Sequence, residues 1–164
     1  MGAEELPNEV VEVREFQLEG DAALATEILR EAKEATLWTE TDLQLLRELS
    51  GGVAYVSVSG GRVSGVVIGR MAADEAEILN LAVRQEERRK GTGKKLVQRL
   101  LSEYGGKEVS RVFLEVRESN SGAIAFYESL GFRKVGMRPG YYQGPKEDAL
   151  VMELKMGKST EPGG

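Results

Sequence analysis

The sequence predicts an α/β (α+β) fold in which a mixed central sheet of about seven strands is flanked by helices. Stretches that alternate apolar and polar residues are interleaved with stretches of helical periodicity, in the order β-α-α-β-β-β-α-β-α-β-β. The second half has the rhythm of βαβ crossovers, which predicts that strands 4 and 5 are parallel. The length of 164 residues, with 41% hydrophobic residues, is sufficient for one domain with a substantial core.

The first half of the chain contains one strand, two helices and a hairpin. Residues 11–18 alternate apolar and polar side chains as a half-buried strand does, and a helical pattern runs from residue 21 to about residue 35. A second helix is expected between its cap residue Thr39 and a stop at Gly51. Two alternating runs then meet at residues 59–61, where Ser-Gly-Gly predicts the turn of a hairpin.

The fourth and fifth strands bracket a helix. Residues 75–83 form the fourth strand, and a helix begins at Gly91 or Thr92, where the apolar spacing becomes helical. Residues 108–118 form the fifth strand. A glycine-rich turn between a strand and a helix start therefore lies at the centre of the βαβ unit.

The last quarter of the chain contains a short helix and two closing strands. Asn120 and Ser121 can cap the helix, and Gly131 can end it. Residues 132–139 and 148–156 complete the sheet. The second of these runs is predicted to be the final strand.

The two ends of the chain are expected to lie outside the domain. Residues 1–10 resemble a flexible leader and residues 157–164 a disordered tail, which leaves residues 11–156 as a single domain. The sequence contains neither a signal-peptide pattern nor an apolar run as long as a membrane span. We therefore expect a cytoplasmic protein that has no membrane partner.

Composition excludes several classes of chemistry. The chain has no cysteine and no histidine, which removes disulfides, thiolate nucleophiles, Ser-His triads and the usual zinc ligands. No metal site is expected, and acid–base chemistry must use Glu, Asp, Tyr, Lys or water. The formal net charge of −5 argues against direct nucleic-acid binding and makes a basic partner more plausible.

Residues 84–95 concentrate positive charge in this acidic chain. Six of them are basic and two are acidic, and Gly91 and Gly93 punctuate the run. A glycine turn at a helix start exposes unpaired N–H groups, which suit a phosphate. A P-loop is excluded because Arg88 and Lys95 stand where Gly and Ser/Thr are required, and a G-x-G-x-x-G fingerprint fails at Leu96.

Residues 88–93 instead match the pattern [QR]-x-x-G-x-[GA], which is the acetyl-CoA pyrophosphate signature of the GNAT acyltransferase superfamily. The stretches LNLAVRQEERRKGTGKKLVQRLL, FLEVRESNSGAIAFYESLGFRKVGMRPGYY and EDALVMEL follow in order at close spacing. Together they resemble the ribosomal-protein-alanine N-acetyltransferase branch from about Ile78 to Leu154. LWTE, at residues 37–40, is a weaker match to a Pro-Trp-Ser-Glu element of that branch.

The resemblance implies where the donor binds. The pyrophosphate of acetyl-CoA would be held mainly by backbone N–H groups of Arg89, Lys90, Gly91, Thr92, Gly93 and Lys94, and Arg88 matches the first position of the signature. In the superfamily a bulge splays the fourth strand from its parallel neighbour. Leu81, Ala82 and Val83 would then pair with the pantetheine arm, and Asn120 would contact the same arm, although Asn120 could equally serve only as a helix cap.

The resemblance also implies the two catalytic residues. Glu115, in LEVR, matches the glutamate that accepts a proton, and Tyr127 matches the tyrosine that donates a proton to the leaving CoA sulfur. Each has an ordinary alternative in the residues themselves. Glu115 could lie on a solvated face or pair with an arginine, and Tyr127 could simply pack its ring and leave its hydroxyl in water.

The acceptor side is implied by GYYQGPKEDALVMEL. In N-terminal acetyltransferases, paired tyrosines before such a strand pack around the incoming peptide terminus, which nominates Tyr141 and Tyr142. Trp38 and Glu40 would form the other wall, although Trp38 could equally be a core residue. The tyrosine pair could equally cover a hairpin edge.

The resemblance thus implies acetyl transfer from acetyl-CoA to the N-terminal amine of a protein, such as the terminal alanine of a ribosomal protein, by direct attack on the thioester. Two alternatives stay open: a lysine or small-molecule amine as acceptor, and a non-catalytic acyl-CoA-binding module. The sequence leaves the oligomeric state undetermined.

Overall fold

A computed structural model describes residues 10–32, 38–48 and 50–157. The predicted order of strands and helices is confirmed. The strands are β1 (Glu12–Glu15), β2 (Gly52–Ser59), β3 (Arg62–Ala72), β4 (Glu75–Val83), β5 (Arg111–Arg117), β6 (Arg133–Tyr142) and β7 (Glu147–Lys155). The helices are α1 (Leu18–Glu31), α2 (Glu40–Glu48), α3 (Thr92–Gly106) and α4 (Ser121–Ser129), and a single 3-10 turn covers Gln85–Glu87.

The seven strands form one mixed sheet in the order β1-β2-β3-β4-β5-β7-β6. The strands β4 and β5 pair in parallel, as the βαβ rhythm predicted, and the other neighbours are antiparallel. α3 provides the crossover between β4 and β5. The carboxyl ends of β4 and β5 therefore lie at the same edge of the sheet.

The parallel pair separates halfway along its length. Pairing runs from Glu75 opposite Arg111 to Ile78 opposite Leu114, whereas β4 continues to Val83 and β5 to Arg117. The register between β3 and β4 shifts at Leu79, because Ile68 lies opposite Asn80 and Gly69 lies opposite Ile78. A β-bulge of this kind bends the strand that carries it, and it opens a gap between β4 and β5. The bulge is visible only in the structure.

Helices cover the two faces of the sheet and create two apolar clusters. One cluster packs α3 and α4 against one face, through residues that include Leu96, Leu100 and Ile124. The other packs α1 and α2 against β2 and β3, through residues that include Ile28 and Leu43. The predicted three-layer sandwich is confirmed, since each helix buries its apolar stripe against the sheet.

The first strand is shorter than the sequence pattern suggested. Residues 11–18 were expected to be extended, but the strand covers Glu12–Glu15 and α1 already begins at Leu18. The buried carboxylate of Asp21 explains the early start of the helix. It accepts hydrogen bonds from the Gln17 backbone N–H at 2.8 Å and from both terminal nitrogens of Arg14 at 2.7 and 2.9 Å. A first-turn acidic side chain that reaches back to the N-cap amide stabilises a helix start.

The last hairpin also differs from its prediction. The strand β6 continues through Pro139 to Tyr142, beyond the predicted end at residue 139. Pro139 is tolerated there because β6 is an edge strand and the register with β7 shifts after Arg138. The extension places the tyrosine pair inside the strand and not in a loop.

Several sequence-based expectations fall on residues outside the described ranges. They are residues 1–9 of the leader, 158–164 of the tail, 33–35 of the first predicted helix, and Leu37 of the LWTE element. Within residues 10–32, 38–48 and 50–157, none of the helices is both long and apolar enough to cross a membrane.

Candidate active site

A cleft of about 1180 Å³ lies where β4 and β5 separate. Its walls are the ends of these two strands, the loop and helix start that follow β4, and the beginning of α4. The residues predicted as site residues that line it are Leu81, Ala82, Val83, Arg88, Arg89, Gly91, Thr92, Gly93, Lys94, Glu115, Asn120, Tyr127 and Tyr142. Most of the predicted donor and catalytic residues therefore share one cavity.

The glycine turn has the geometry that exposes backbone amides. Gly91 is the N-cap of α3 with φ of 79°, a left-handed conformation that favours glycine. The first helical hydrogen bond runs from the Lys95 N–H to the Gly91 carbonyl at 3.1 Å. The amides of the first turn, at residues 92–94, therefore lack helical partners and sit at the positive end of the helix dipole. Anions bind favourably at such a terminus.

The close approach of a ligand to this turn meets little steric hindrance. A Cβ added to Gly91 would have no heavy atom within 4 Å, and one added to Gly93 would first meet the ring of Phe126 at 3.6 Å. Lys90, the remaining residue of the predicted cradle, is exposed and does not line the cleft. Its Nζ lies 3.9 Å from Oε2 of Glu87.

Two side chains already form hydrogen bonds with backbone groups at the end of β4. The Leu81 N–H donates to Oδ1 of its neighbour Asn80 at 3.1 Å, and Nε of Arg88 donates to the Val83 carbonyl at 3.4 Å. On its other side this part of β4 pairs with β3, with Leu81 opposite Val67. Because both contacts come from neighbouring side chains, an extended ligand can replace them and leave the pairing of β4 with β3 intact.

Glu115 lies in the middle of β5 and lines the cleft. Residues 112, 114 and 116 are buried while Glu115 is only partly buried, which confirms the predicted alternation. Its Oε1 lies 3.1 Å from Nε of Arg138 on β6. The arginine pairing considered from the sequence is thus present, and the partner comes from a different strand.

Tyr127 is buried in the wall of the cleft. Its ring packs edge-on against Phe126 and Phe132, with centroids 5.1 and 5.6 Å away. Burial raises the pKa of Tyr127 well above its ordinary value, with a smaller contribution from Tyr142. The phenol therefore stays protonated at neutral pH, which is the state required of a proton donor.

The tyrosine pair of β6 borders the cleft beside Glu115. The two rings meet edge-on with centroids 5.0 Å apart, and Arg117 lies over the Tyr142 ring at 4.4 Å. Burial, followed by the Glu115 charge, raises the pKa of Tyr142 to about 12. Interaction with the Glu115 carboxylate, followed by burial, raises the pKa of Tyr141, which is half exposed and outside the cleft lining.

The residues predicted to form the other wall of the acceptor site do not lie at this cavity. Trp38 and Glu40 are absent from its lining. Trp38 is partly buried and packs against the apolar cluster of α1 and α2, the core position considered from the sequence. Glu40 is exposed at the first residue of α2. Their predicted role at the acceptor remains a prediction.

Asn120 caps α4 by accepting a hydrogen bond from the Ala123 N–H at 3.0 Å, and it also lines the cleft. Replacing Asn120 with alanine is expected to destabilise the fold by about 1 kcal/mol, because a first-turn amide loses its acceptor. Chemical denaturation measures this change, and Asn120→Ser, which keeps an acceptor, should retain most of the stability. An Asn120→Ala variant as stable as the parent would contradict the capping role.

Sequence reasoning missed two arginines near Glu115. Arg117 donates to the Pro145 carbonyl at 3.2 Å and lies 3.4 Å from Glu147, so it ties β5 to the β6–β7 turn. Arg138 reaches Glu115 across the sheet. Arg117 follows Glu115 by two residues in LEVR, and strand periodicity predicts both on one face, although it does not predict the contacts of Arg117 with the turn. No local signal could have identified Arg138.

Within the described ranges, no group of three or more acidic side chains could hold a metal ion. The polar groups that line the cleft include carboxylates, phenols, guanidinium groups and backbone amides. Such a set suits anion binding and proton transfer.

Comparisons with known proteins agree with this arrangement. The sequence model described as "Acetyltransferase (GNAT) family" matches residues 23–132. The [Ribosomal protein bS18]-alanine N-acetyltransferase of Escherichia coli strain K12 is 40% identical over 96 residues. That match covers 57% of this chain and 65% of the relative, just under two thirds of its length.

Two solved structures share the fold along nearly their whole lengths. One is the ribosomal-protein-S18-alanine N-acetyltransferase from Escherichia coli, with a TM-score of 0.81, 29% identity, and coverage of 93% of this chain and 98% of that chain. The other is Ard1 from Thermoplasma volcanium, with a TM-score of 0.81, 29% identity, and coverage of 90% and 99%. With a family model matching more than half of its length, this chain belongs to the GNAT acetyltransferase family.

Proposed function

We propose that the protein is an acetyl-CoA-dependent N-acetyltransferase whose acceptor is the N-terminal α-amine of a protein. The observation that carries the proposal is the single cleft in which the glycine turn, Glu115 and Tyr127 meet. The turn offers amides for the pyrophosphate of the donor, and the gap between β4 and β5 offers a strand edge for its pantetheine arm.

In the proposed reaction, the neutral amine attacks the thioester carbonyl carbon, a C–N bond forms and the C–S bond breaks. Glu115 takes the proton lost from nitrogen, directly or through water, and Tyr127 gives a proton to the departing sulfur. A terminal amine has a pKa of roughly 7.7–8.0, so a carboxylate is a sufficient base, whereas a lysine amine near about 10.4 needs more assistance. This difference favours the α-amine acceptor.

The names of the relatives support a more specific acceptor. Both the sequence relative and one structural relative from Escherichia coli are named for acetylating the alanine of ribosomal protein S18. We propose the N-terminal alanine of a ribosomal protein as the acceptor of this chain as well. The reaction would then take place in the cytoplasm, and the negative net charge of −5 suits a basic ribosomal partner.

A peptide screen tests the acceptor assignment. The purified protein is incubated with acetyl-CoA and three sets of acceptors. They are peptides with a free N-terminal Ala or Ser, the same peptides with a blocked terminus and an internal lysine, and free polyamines. We expect mass spectrometry to find one acetyl group on the free termini and none on the blocked set. Acetylation of internal lysine or polyamines alone would contradict the α-amine proposal, and CoA binding without any turnover would indicate a binding module.

A further inference from the structure

Three buried polar side-chain atoms lack a hydrogen-bond partner among the described residues, and all three lie in one wall of the cleft. They are Nη2 of Arg84, Oε2 of Glu87 and Oγ1 of Thr92. Buried polar atoms in folded proteins are nearly always hydrogen-bonded. Their concentration beside the glycine turn indicates that this wall meets a polar ligand.

Of these three residues, only Arg84 carries a positive charge. Its side chain is 4% exposed, and its Nη1 lies 3.6 Å from Glu27 and 4.0 Å from Glu31, both longer than a hydrogen bond. Those two carboxylates are about half exposed, at 46% and 56%. A guanidinium removed from water needs close partners, because desolvation otherwise opposes burial. Glu87 is an anion, and its carboxylate lies 3.9 Å from the Lys90 amine.

Arg84 is held firmly at the base of the donor loop. It directly follows β4, its N–H donates to the Ser64 carbonyl at 2.8 Å, and its Nε donates to the Val63 carbonyl at 3.0 Å. The segment of residues 84–95 has five other basic residues, all exposed: Arg88, Arg89, Lys90, Lys94 and Lys95. Arg84 lines the cleft, and it is the only basic residue of this segment that combines burial, a fixed position and a terminal nitrogen without a hydrogen-bond partner.

We propose that Arg84 is a donor-binding residue whose Nη2 donates to a phosphate oxygen of the CoA pyrophosphate from within the cleft wall. The inference rests on the proposed function, which supplies the ligand. A buried charged contact is screened by salt much less than exposed ones are. Arg84 therefore supplies the salt-resistant part of pyrophosphate recognition, and the exposed basic residues supply the salt-sensitive part.

Calorimetric titration of the full chain with CoA separates these contributions. Arg84→Met is compared with Arg89→Met, which changes an exposed arginine of the same loop. Both are titrated at about 0.1 M and about 1 M NaCl, and the screening length falls to about 3 Å at the higher concentration. We expect Arg84→Met to weaken CoA binding roughly 10- to 100-fold at both salt concentrations, as loss of a charged hydrogen bond implies. Arg89→Met should weaken binding at low salt only.

A donor without phosphate distinguishes ligand contact from structural support. In an NMR titration, acetyl-pantetheine should bind Arg84→Met and the parent protein equally. If Arg84→Met binds CoA as tightly as the parent does, or loses affinity for CoA and acetyl-pantetheine equally, the proposal is wrong. A parent protein that fails to bind CoA at all would overturn the proposed function as well.

Two further measurements test the proposal without requiring Arg84→Met to fold. Arg84→Lys keeps the buried charge but lacks the forked geometry of guanidinium, and it should show a smaller loss of CoA affinity. In the parent protein, the Nε–Hε NMR signal of Arg84, assigned from that variant, should shift with CoA and stay in place with acetyl-pantetheine. An unshifted signal in the presence of saturating CoA would exclude the contact.

Discussion

Replacing Glu115 with glutamine is expected to lower kcat for peptide acetylation by roughly 100-fold or more, the usual contribution of a positioned general base. The change keeps the size of the side chain and removes its capacity to accept a proton. Nε of Arg138 lies 3.1 Å from Oε1, so the carboxylate is already held at the cleft by a neighbouring strand. Steady-state kinetics with an Ala-terminated peptide measure the loss.

A control variant separates the loss of the proton acceptor from the general effect of removing one negative charge. Glu153 lies on β7 opposite Phe113, on the same face of the sheet as Glu115, and it does not line the cleft. Glu153→Gln removes the same charge and should leave kcat unchanged. Calorimetry should show that both variants bind CoA as the parent does. Full activity of Glu115→Gln would exclude this residue as the base.

Replacing Tyr127 with phenylalanine is expected to lower kcat to a similar extent, roughly 100-fold or more, while CoA affinity is preserved. The substitution removes only the hydroxyl, and the ring contacts with Phe126 and Phe132 remain. Because burial raises the pKa of Tyr127, the phenol of the parent protein holds its proton through the neutral and mildly alkaline range.

The pH dependence of this defect provides a test specific to the leaving group. A thiol has a pKa near about 8.5, so at higher pH the departing thiolate needs no proton. The deficit of Tyr127→Phe should therefore shrink as the pH rises above that value. A deficit that is independent of pH would assign Tyr127 a packing role instead.

Tyr104 offers a matched control for this substitution. It is a fully buried tyrosine on α3 that lies outside the cleft lining, and its hydroxyl donates to the Glu77 carbonyl at 2.6 Å. Tyr104→Phe is expected to destabilise the fold by about 1 kcal/mol through the lost hydrogen bond. Its kcat should match that of the parent, since no reacting group is touched.

Much of the fold was predictable because its signals are local. The alternation in β4 and β5 and the glycine turn before α3 depend on neighbours a few residues apart. Periodicity was insufficient where a specific side-chain contact competes with it. Residues 16–18 continue the strand pattern of β1, yet the Asp21 carboxylate, held by Arg14, accepts the Gln17 N–H and starts α1 early.

By itself, the sequence determined the order of the elements, the turn that suits a phosphate, and the two candidate catalytic residues, Glu115 and Tyr127. The tertiary structure alone decided that a bulge at Leu79 separates β4 from β5 and that Arg138 pairs with Glu115. It also decided that Arg84 is buried while its basic neighbours are exposed. These features depend on strand order, register and burial across the sheet, which bring together residues that no short sequence pattern relates.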